Sequence, residues 1–336
     1  MTNILVHPDL YEGSALTAVS EELEHDIKSR HLEVNTIRFK GKLKKLVTSD
    51  LDDPDVFMNH NLRVLNELKK CVQYGDKILF VDFFQLGLGL LYYYLRFVKI
   101  DVKLGALFHG ASFVRNDFLK NEKWLFPFEC GLMLLMDTIY VPSKFAASCI
   151  PDEFRSKVKV SAFGFDPSQF SATFDMGNKV YDVIIPQRWS WDKAPLFCER
   201  LIRSMPEVTF AISGFAGSSD DPSLRGIFNT ITAQQNVRNL RISTGREHYE
   251  NLSKSKVVLG TQDSFGYGVR QAMACGCIPV LANDYCYPEL VPTEYLYNNL
   301  DEAVTLIRRY ISGYPLGYLK PTRHSFQYIL NDFYET

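Results

Sequence analysis

Residues 260–292, GTQDSFGYGVRQAMACGCIPVLANDYCYPELVP, constrain what this chain can fold into more than any other part of its sequence. They read as the end of a short apolar strand at 257–260, a glycine-bearing turn, a helix over 267–274, a second apolar strand at 278–281 and a loop. Gly266 and Gly268 sit at the turn into the helix, where missing side chains would let a ligand approach the backbone. The first N–H groups of the helix have no partner within it and face outward, with the positive end of the helix dipole behind them. Asp263 and Gln271 bracket the turn and can hydrogen-bond hydroxyls beside an anion. A diphosphate flanked by sugars suits this set; an ordinary strand–turn–helix of an α/β domain is the alternative.

The segment resembles the donor-binding signature of retaining glycosyltransferases of family 4. Asp263 takes the first acid position, Ser264–Phe265–Gly266 follow, Gln271 stands at the second acid position, and AMACGCIPV continues the pattern. The resemblance implies an α/β chain of GT-B type: two Rossmann-like doubly wound domains facing across a cleft. It further implies a nucleotide-diphosphate sugar, such as a UDP- or GDP-sugar, as donor. The donor-binding residues would be Ser264, Phe265, Gly266, Tyr267, Gly268 and Gln271, with Gly214 after the strand at 208–213, and Asp263 binding sugar hydroxyls. Gln271 departs from the family's usual Glu, so it would bond the ribose without charge assistance.

A second segment agrees. VIIPQRWSWDKAP at 183–195 is a strand running into a loop that carries Arg188 and Lys193. The family has an Arg and a Lys at this spacing on the donor diphosphate, where fixed cations stabilise charge growing on the leaving phosphate. Taken alone, either residue reads as a solvated surface cation. The run P-x-R-W-x-x-D-K-x-P, with CGCIPVL and YPELVP downstream, is similar to the branch containing tRNA-queuosine mannosyltransferases, and FHGASF at 108–113 and VPSKFAAS at 141–148 match it in position. The branch's His-Glu-Asn-Gln run is reduced here to His109–Gly110.

Composition sets the outer limits. The chain has 336 residues, 46% apolar and 23% charged, enough for two cores. A net charge of −2 gives no global drive toward polyanions, so nucleic-acid binding requires a local patch. Residues 1–9 lead straight into a strand with no cationic or long apolar leader, which predicts a cytoplasmic protein. The most apolar run, 86–98, is too short to span a bilayer and reads as a buried helix. The seven scattered cysteines fit reduced thiols, and Cys275, Cys277 and Cys286 read as buried thiols rather than metal ligands.

Strands and helices alternate along the chain, which predicts parallel sheets with helices on both faces. Strands are expected at 3–7, 33–39, 77–81, 102–108, 138–141 and 158–162, then at 180–185, 208–213, 240–243, 257–260 and 278–281. The expected organisation is an acceptor-side domain at 1–166, a linker at 167–179, a donor domain at 180–312, and a C-terminal segment at 313–336 crossing back to the first domain. Phe326, Ile329, Leu330 and Phe333 share one face of that last helix.

Three features of the first half are candidates for function. Gly13 and Ser14 follow the first strand and either line the ligand cleft or form an ordinary turn. His109 ends a strand; it is either structural or, as the resemblance implies, in contact with the transferred sugar. RFKGKLKK at 38–45 puts Arg38, Lys40, Lys42, Lys44 and Lys45 together without an acid, as a solvated face or as contacts to acceptor phosphates.

The chemistry the resemblance implies is a retaining transfer in which His109, Arg188, Lys193 and Asp263 surround the reacting centre. No metal or other cofactor is expected, because the two cations and the helix dipole neutralise the leaving group and no Asp-x-Asp motif is present. Three acceptor readings stay open: a modified base in tRNA or DNA; a small molecule, lipid or glycan; or no acceptor at all, in a non-catalytic binding protein.

Overall fold

The computed structural model describes residues 2–7, 15–38, 54–84, 87–115, 117–168, 178–213, 221–240, 246–313, 319 and 321–335. The chain divides into two compact units, Met1–Phe165 with His324–Thr336, and Asp166–Arg323. Each is built on a parallel six-stranded sheet.

The first unit runs β1 (Asn3–Val6), α1 (Ala15–Ser29), β2 (Val34–Ile37), α2 (Pro54–Cys71), β3 (Lys77–Phe80), α3 (Leu88–Phe97), β4 (Lys103–Leu107), α4 (Leu125–Leu135), β5 (Thr138–Val141), α5 (Lys144–Cys149) and β6 (Val158–Val160). Its strand order is β2-β1-β3-β4-β5-β6. KILF of β3 and TIYV of β5 are buried along their whole length, as strands covered on both faces must be. Val19, Leu23 and Ile27 turn the apolar face of α1 inward.

The second unit runs β7 (Tyr181–Ile185), α6 (Pro195–Ser204), β8 (Phe210–Ile212), α7 (Pro222–Thr232), β9 (Val237–Asn239), α8 (Arg246–Ser253), β10 (Ser255–Gly260), α9 (Tyr267–Ala274), β11 (Ile278–Ala282), β12 (Leu296–Tyr297) and α10 (Leu300–Ile311). Its order is β12-β11-β10-β7-β8-β9. The chain lays β7, β8 and β9 outward in one direction, then returns to place β10, β11 and β12 on the other side of β7. In register, Val258 of β10 lies beside Ile184 of β7.

The last segment, α11 (Gln327–Leu330) continued by a wider turn at Asn331–Glu335, packs on the first unit. Phe326, Ile329, Leu330 and Phe333 are all fully buried. Asp332 accepts from the Tyr140 hydroxyl at 2.5 Å and from Lys159 at 2.7 Å, and the Tyr334 hydroxyl donates to the Ile4 carbonyl at 2.8 Å. Among the described residues, Gly313, Leu319 and 321–323 fall with the second unit.

Three expectations need correction. The strand placed at 240–243 is instead β9, three residues earlier, where Val237 supplies the buried side chain; 241–243 lie outside the described residues. The two-residue β12 was not anticipated, being too short to show a period. The helix at 86–98 is not buried throughout: Leu88, Leu91 and Leu95 face the core, whereas Leu90, Tyr93 and Phe97 are 57%, 69% and 74% exposed. Apolar residues on both faces of α3 hid its true amphipathicity. Among the described residues, no helix is long and apolar enough to cross a membrane.

Candidate functional site

β7 and β10 are neighbours whose connections leave in opposite directions across the sheet. Open α/β sheets bind ligands at such a switch point, outside the carboxyl ends of the strands. The loop after β7 carries Arg188 and Lys193, and the loop after β10 carries Asp263 and leads into α9. Two segments far apart in sequence therefore meet at one place.

A short 3₁₀ turn at Trp191–Lys193 shapes the first loop. Arg188 donates from Nη2 to Asp192 Oδ2 and from Nε to Ser190 Oγ, both at 3.0 Å. The Ser190 hydroxyl in turn bonds Asp192 Oδ1. Lys193 Nζ donates to the Gln262 carbonyl at 2.9 Å and lies 3.4 Å from Asp263 Oδ2 and 3.6 Å from Asp192 Oδ2. The loops are tied by Thr261, whose hydroxyl donates to the Lys193 carbonyl at 2.8 Å and accepts from Gln187 Nε2 at 2.7 Å.

Asp192 was missed by sequence reasoning, although it stands between the two cations in the RWSWDK run. Burial alone would push the Asp192 and Asp263 carboxyls up. Lys193 opposes this at both, joined by Arg188 and Ser190 at Asp192 and by the amides of Gly266 and Phe265 at Asp263, and both carboxyls end below their ordinary value. The cluster thus holds two cations against two carboxylates at neutral pH.

The turn into α9 is built from within. Asp263 Oδ1 accepts from the amides of Phe265 and Gly266, each at 3.0 Å. Gly266 sits at φ +71°, and a Cβ there would lie 2.7 Å from the Leu290 side chain. A Cβ on Gly268 would come 3.3 Å from the Pro186 carbonyl, so that glycine lets α9 approach the end of β7. Both glycines answer internal demands of the fold. One oxygen of Asp263 is likewise engaged in the turn. Phe265 and Tyr267 are buried. The first helical bond of α9 runs from Arg270 N–H to the Gly266 carbonyl, so the amides of Gly268 and Val269 precede it. Ser264 lies in the same turn; Gly214 lies outside the described residues.

Gln271 is buried, and its Nε2 reaches the Tyr249 hydroxyl of α8 at 3.4 Å. Burial lowers the pKa of nearby His248, and Gln271 pulls it the other way. Nothing in the sequence signalled this pairing between helices.

In the first unit, His109 stands at the carboxyl end of β4 and donates from Nε2 to the Val81 carbonyl at 2.7 Å, which fixes the tautomer. Its ring lies 5.1 Å from that of Phe163. Burial brings its pKa down to about 4 against the opposing pull of Val81, so the imidazole is neutral at pH 7. Arg38 is exposed and pairs with Glu24 of α1 at 3.1 Å. Lys40, Lys42, Lys44, Lys45, Gly13 and Ser14 lie outside the described residues. A cavity of about 520 Å³ opens near Tyr74, Tyr92, Arg96 and Lys103, at the opposite, amino-terminal edge of the first sheet. Cys275, Cys277 and Cys286 are buried thiols.

Two parallel doubly wound sheets of this order define the GT-B class of α/β fold. No protein-family model matches the chain. Over 132 residues it is 30% identical to a tRNA-queuosine alpha-mannosyltransferase of Drosophila melanogaster, covering 37% of this chain and 34% of that protein. The match therefore spans about a third of the relative. Among solved structures it is similar to an α,α-trehalose-phosphate synthase (UDP-forming) from Burkholderia vietnamiensis, with TM-score 0.63 and 13% identity over 94% of this chain and 92% of the other. A UDP-GlcNAc 2-epimerase from Methanocaldococcus jannaschii also matches, with TM-score 0.56 and 10% identity over 100% of both chains. These likenesses agree with the glycosyltransferase resemblance read from the motifs. Because the fold houses both a transferase and an epimerase, the activity has to be argued from the site.

Proposed function

We propose that the chain is a retaining glycosyltransferase whose second unit binds a nucleotide-diphosphate sugar. The observation that carries this reading is the meeting of Arg188, Lys193 and the opening of α9 at the switch point between β7 and β10. Arg188 and Lys193 neutralise the leaving diphosphate, and the amides at the start of α9 add donors aimed at the same charge. Asp192 and Asp263 hold the cations in place until phosphate oxygens take over part of their hydrogen bonding. Gln271 accepts the ribose between itself and Tyr249, and His109 meets the transferred sugar. This neutralisation by side chains and backbone replaces a metal ion in the proposal.

For the acceptor we infer a hydroxyl on a modified base in tRNA or DNA, supported by the segment shared with the Drosophila enzyme. A small molecule, lipid or glycan is the second reading, favoured by the net charge of −2 and by the engagement of Arg38 with Glu24. Binding to tRNA and to duplex DNA across a salt series separates them. Charge reversal at Lys42, Lys44 and Lys45 is expected to weaken binding and to flatten its salt dependence, by about 0.7–0.9 in logarithmic slope per lost phosphate contact. Donor binding is expected to survive. Undetectable binding of both polymers at low salt in the unaltered protein would leave the small-acceptor reading.

A further inference from the structure

Arg270 is the fourth residue of α9, an eight-residue helix, and only 5% of it is exposed. Its side chain makes no hydrogen bond and no ion pair among the described residues, and Nε is fully enclosed without an acceptor. The contact it does make is with the Phe265 ring, 5.1 Å from the guanidinium carbon. Helical side chains lean toward the amino terminus, and Phe265 precedes the helix, so the guanidinium lies level with the first turn. A cation there is unfavourable twice over: it is buried without a counter-charge, and it faces the positive end of the helix dipole. The cation–π contact and the more distant Glu289 offset only part of this. An anion at the start of α9 would reverse both terms.

The surroundings point the same way. The Cys286 thiol feels Asp263, Arg270 and Lys193 together, which puts Arg270 in the electrostatic neighbourhood of the diphosphate candidates. Four further buried polar atoms of this unit without a partner among the described residues, Trp189 Nε1, Ser213 Oγ, Gln262 Oε1 and the Tyr287 hydroxyl, follow the carboxyl ends of β7, β8, β10 and β11. Orphaned groups thus gather along the edge where a ligand of this fold binds.

We propose that Arg270 is a third cation for the donor diphosphate, set beside the amino terminus of α9 and satisfied only when phosphate oxygens arrive. This rests on the donor reading above. The test measures thermal stability without ligand, and calorimetric affinity for UDP, GDP and inorganic pyrophosphate, in the unaltered chain and in Arg270→Met. The variant is expected to be at least as stable as the parent when ligand-free, since an apolar chain of similar length replaces an unpaired buried charge. It is expected to bind the phosphate probes about 10- to 100-fold more weakly. Unchanged affinity in Arg270→Met overturns the proposal, whatever happens to stability. Arg270-dependent binding of pyrophosphate with no binding of UDP or GDP supports the anion site while sinking the nucleotide donor. If the unaltered chain binds none of the three, both fail.

Discussion

At the residue scale, the candidate site rests on side chains whose partners are now known. Arg188, Lys193 and Asp263 were legible because each belongs to a short local pattern whose spacing survives in one dimension. Gln271 was legible as a position but not as an environment, since Tyr249 and His248 approach it only through the packing of α8 on α9. If Gln271 binds a ribose, Gln271→Ala should weaken donor binding by about 1 kcal/mol, the contribution of one neutral hydrogen bond. Gln271→Glu should keep or improve it, and should also raise the His248 pKa by placing a carboxylate beside the ring. Calorimetry and a proton-resonance titration read these together; equal donor affinity in both variants would remove Gln271 from the site.

His109 makes a prediction about pH. Its folded pKa of about 4 is below the ordinary 6.5, because the folded protein holds the ring neutral. Its contribution to stability is therefore complete above about pH 6.5 and is lost as pH falls from there toward 4, where the unfolded chain binds a proton that the folded one refuses. His7, buried at the end of β1 and also brought down to about 4 by burial against the opposing charge of Glu24, adds in the same direction. Urea unfolding at several pH values between 7.5 and 4.5 should show this fall, and His109→Asn should shrink it. An undiminished slope in the variant would mean that His109 is not held neutral.

At the scale of elements, the sequence specified most of the sheets because parallel strands covered on both faces read as continuous apolar runs. It failed where that signal thins. β9 has only Val237 buried, β12 has two residues, and α3 carries apolar side chains on both faces. The strand–turn–helix of β10 and α9 was found from its glycines, and the structure supplies a further reason for one of them. Gly266 is required by a left-handed backbone and by Leu290. Gly266→Ala should accordingly destabilise the protein by roughly 2–4 kcal/mol, from backbone strain plus overpacking. A chemical denaturation curve indistinguishable from the parent's would contradict this account of the turn.

At the scale of the whole molecule, two sheets of the same kind carry unequal shares of the argument. The second contributes a switch point furnished with cations, carboxylates and a helix opening. The first contributes His109 and, through Tyr140, Lys159 and Ile4, the seat for the returning carboxyl-terminal segment. The packing of that segment was foreseeable from the shared face of Phe326, Ile329, Leu330 and Phe333. Its hydrogen bonds to Tyr140, Lys159 and Ile4 were not, because they join residues more than 170 positions apart.

The central claim is that this molecule transfers a sugar from a nucleotide diphosphate held at Arg188 and Lys193. Release of UDP and GDP from a panel of donor sugars, measured with total tRNA, DNA and small polyols as acceptors, tests it most directly when the Arg188→Ala protein is run in parallel. The account predicts release of one nucleoside diphosphate, matched by an equal gain of sugar on one acceptor class. It also predicts a hundred- to thousandfold slower reaction in Arg188→Ala, corresponding to roughly 2–4 kcal/mol of lost transition-state stabilisation. No release with any donor, or release at the parent's rate from the Arg188→Ala protein, would contradict it.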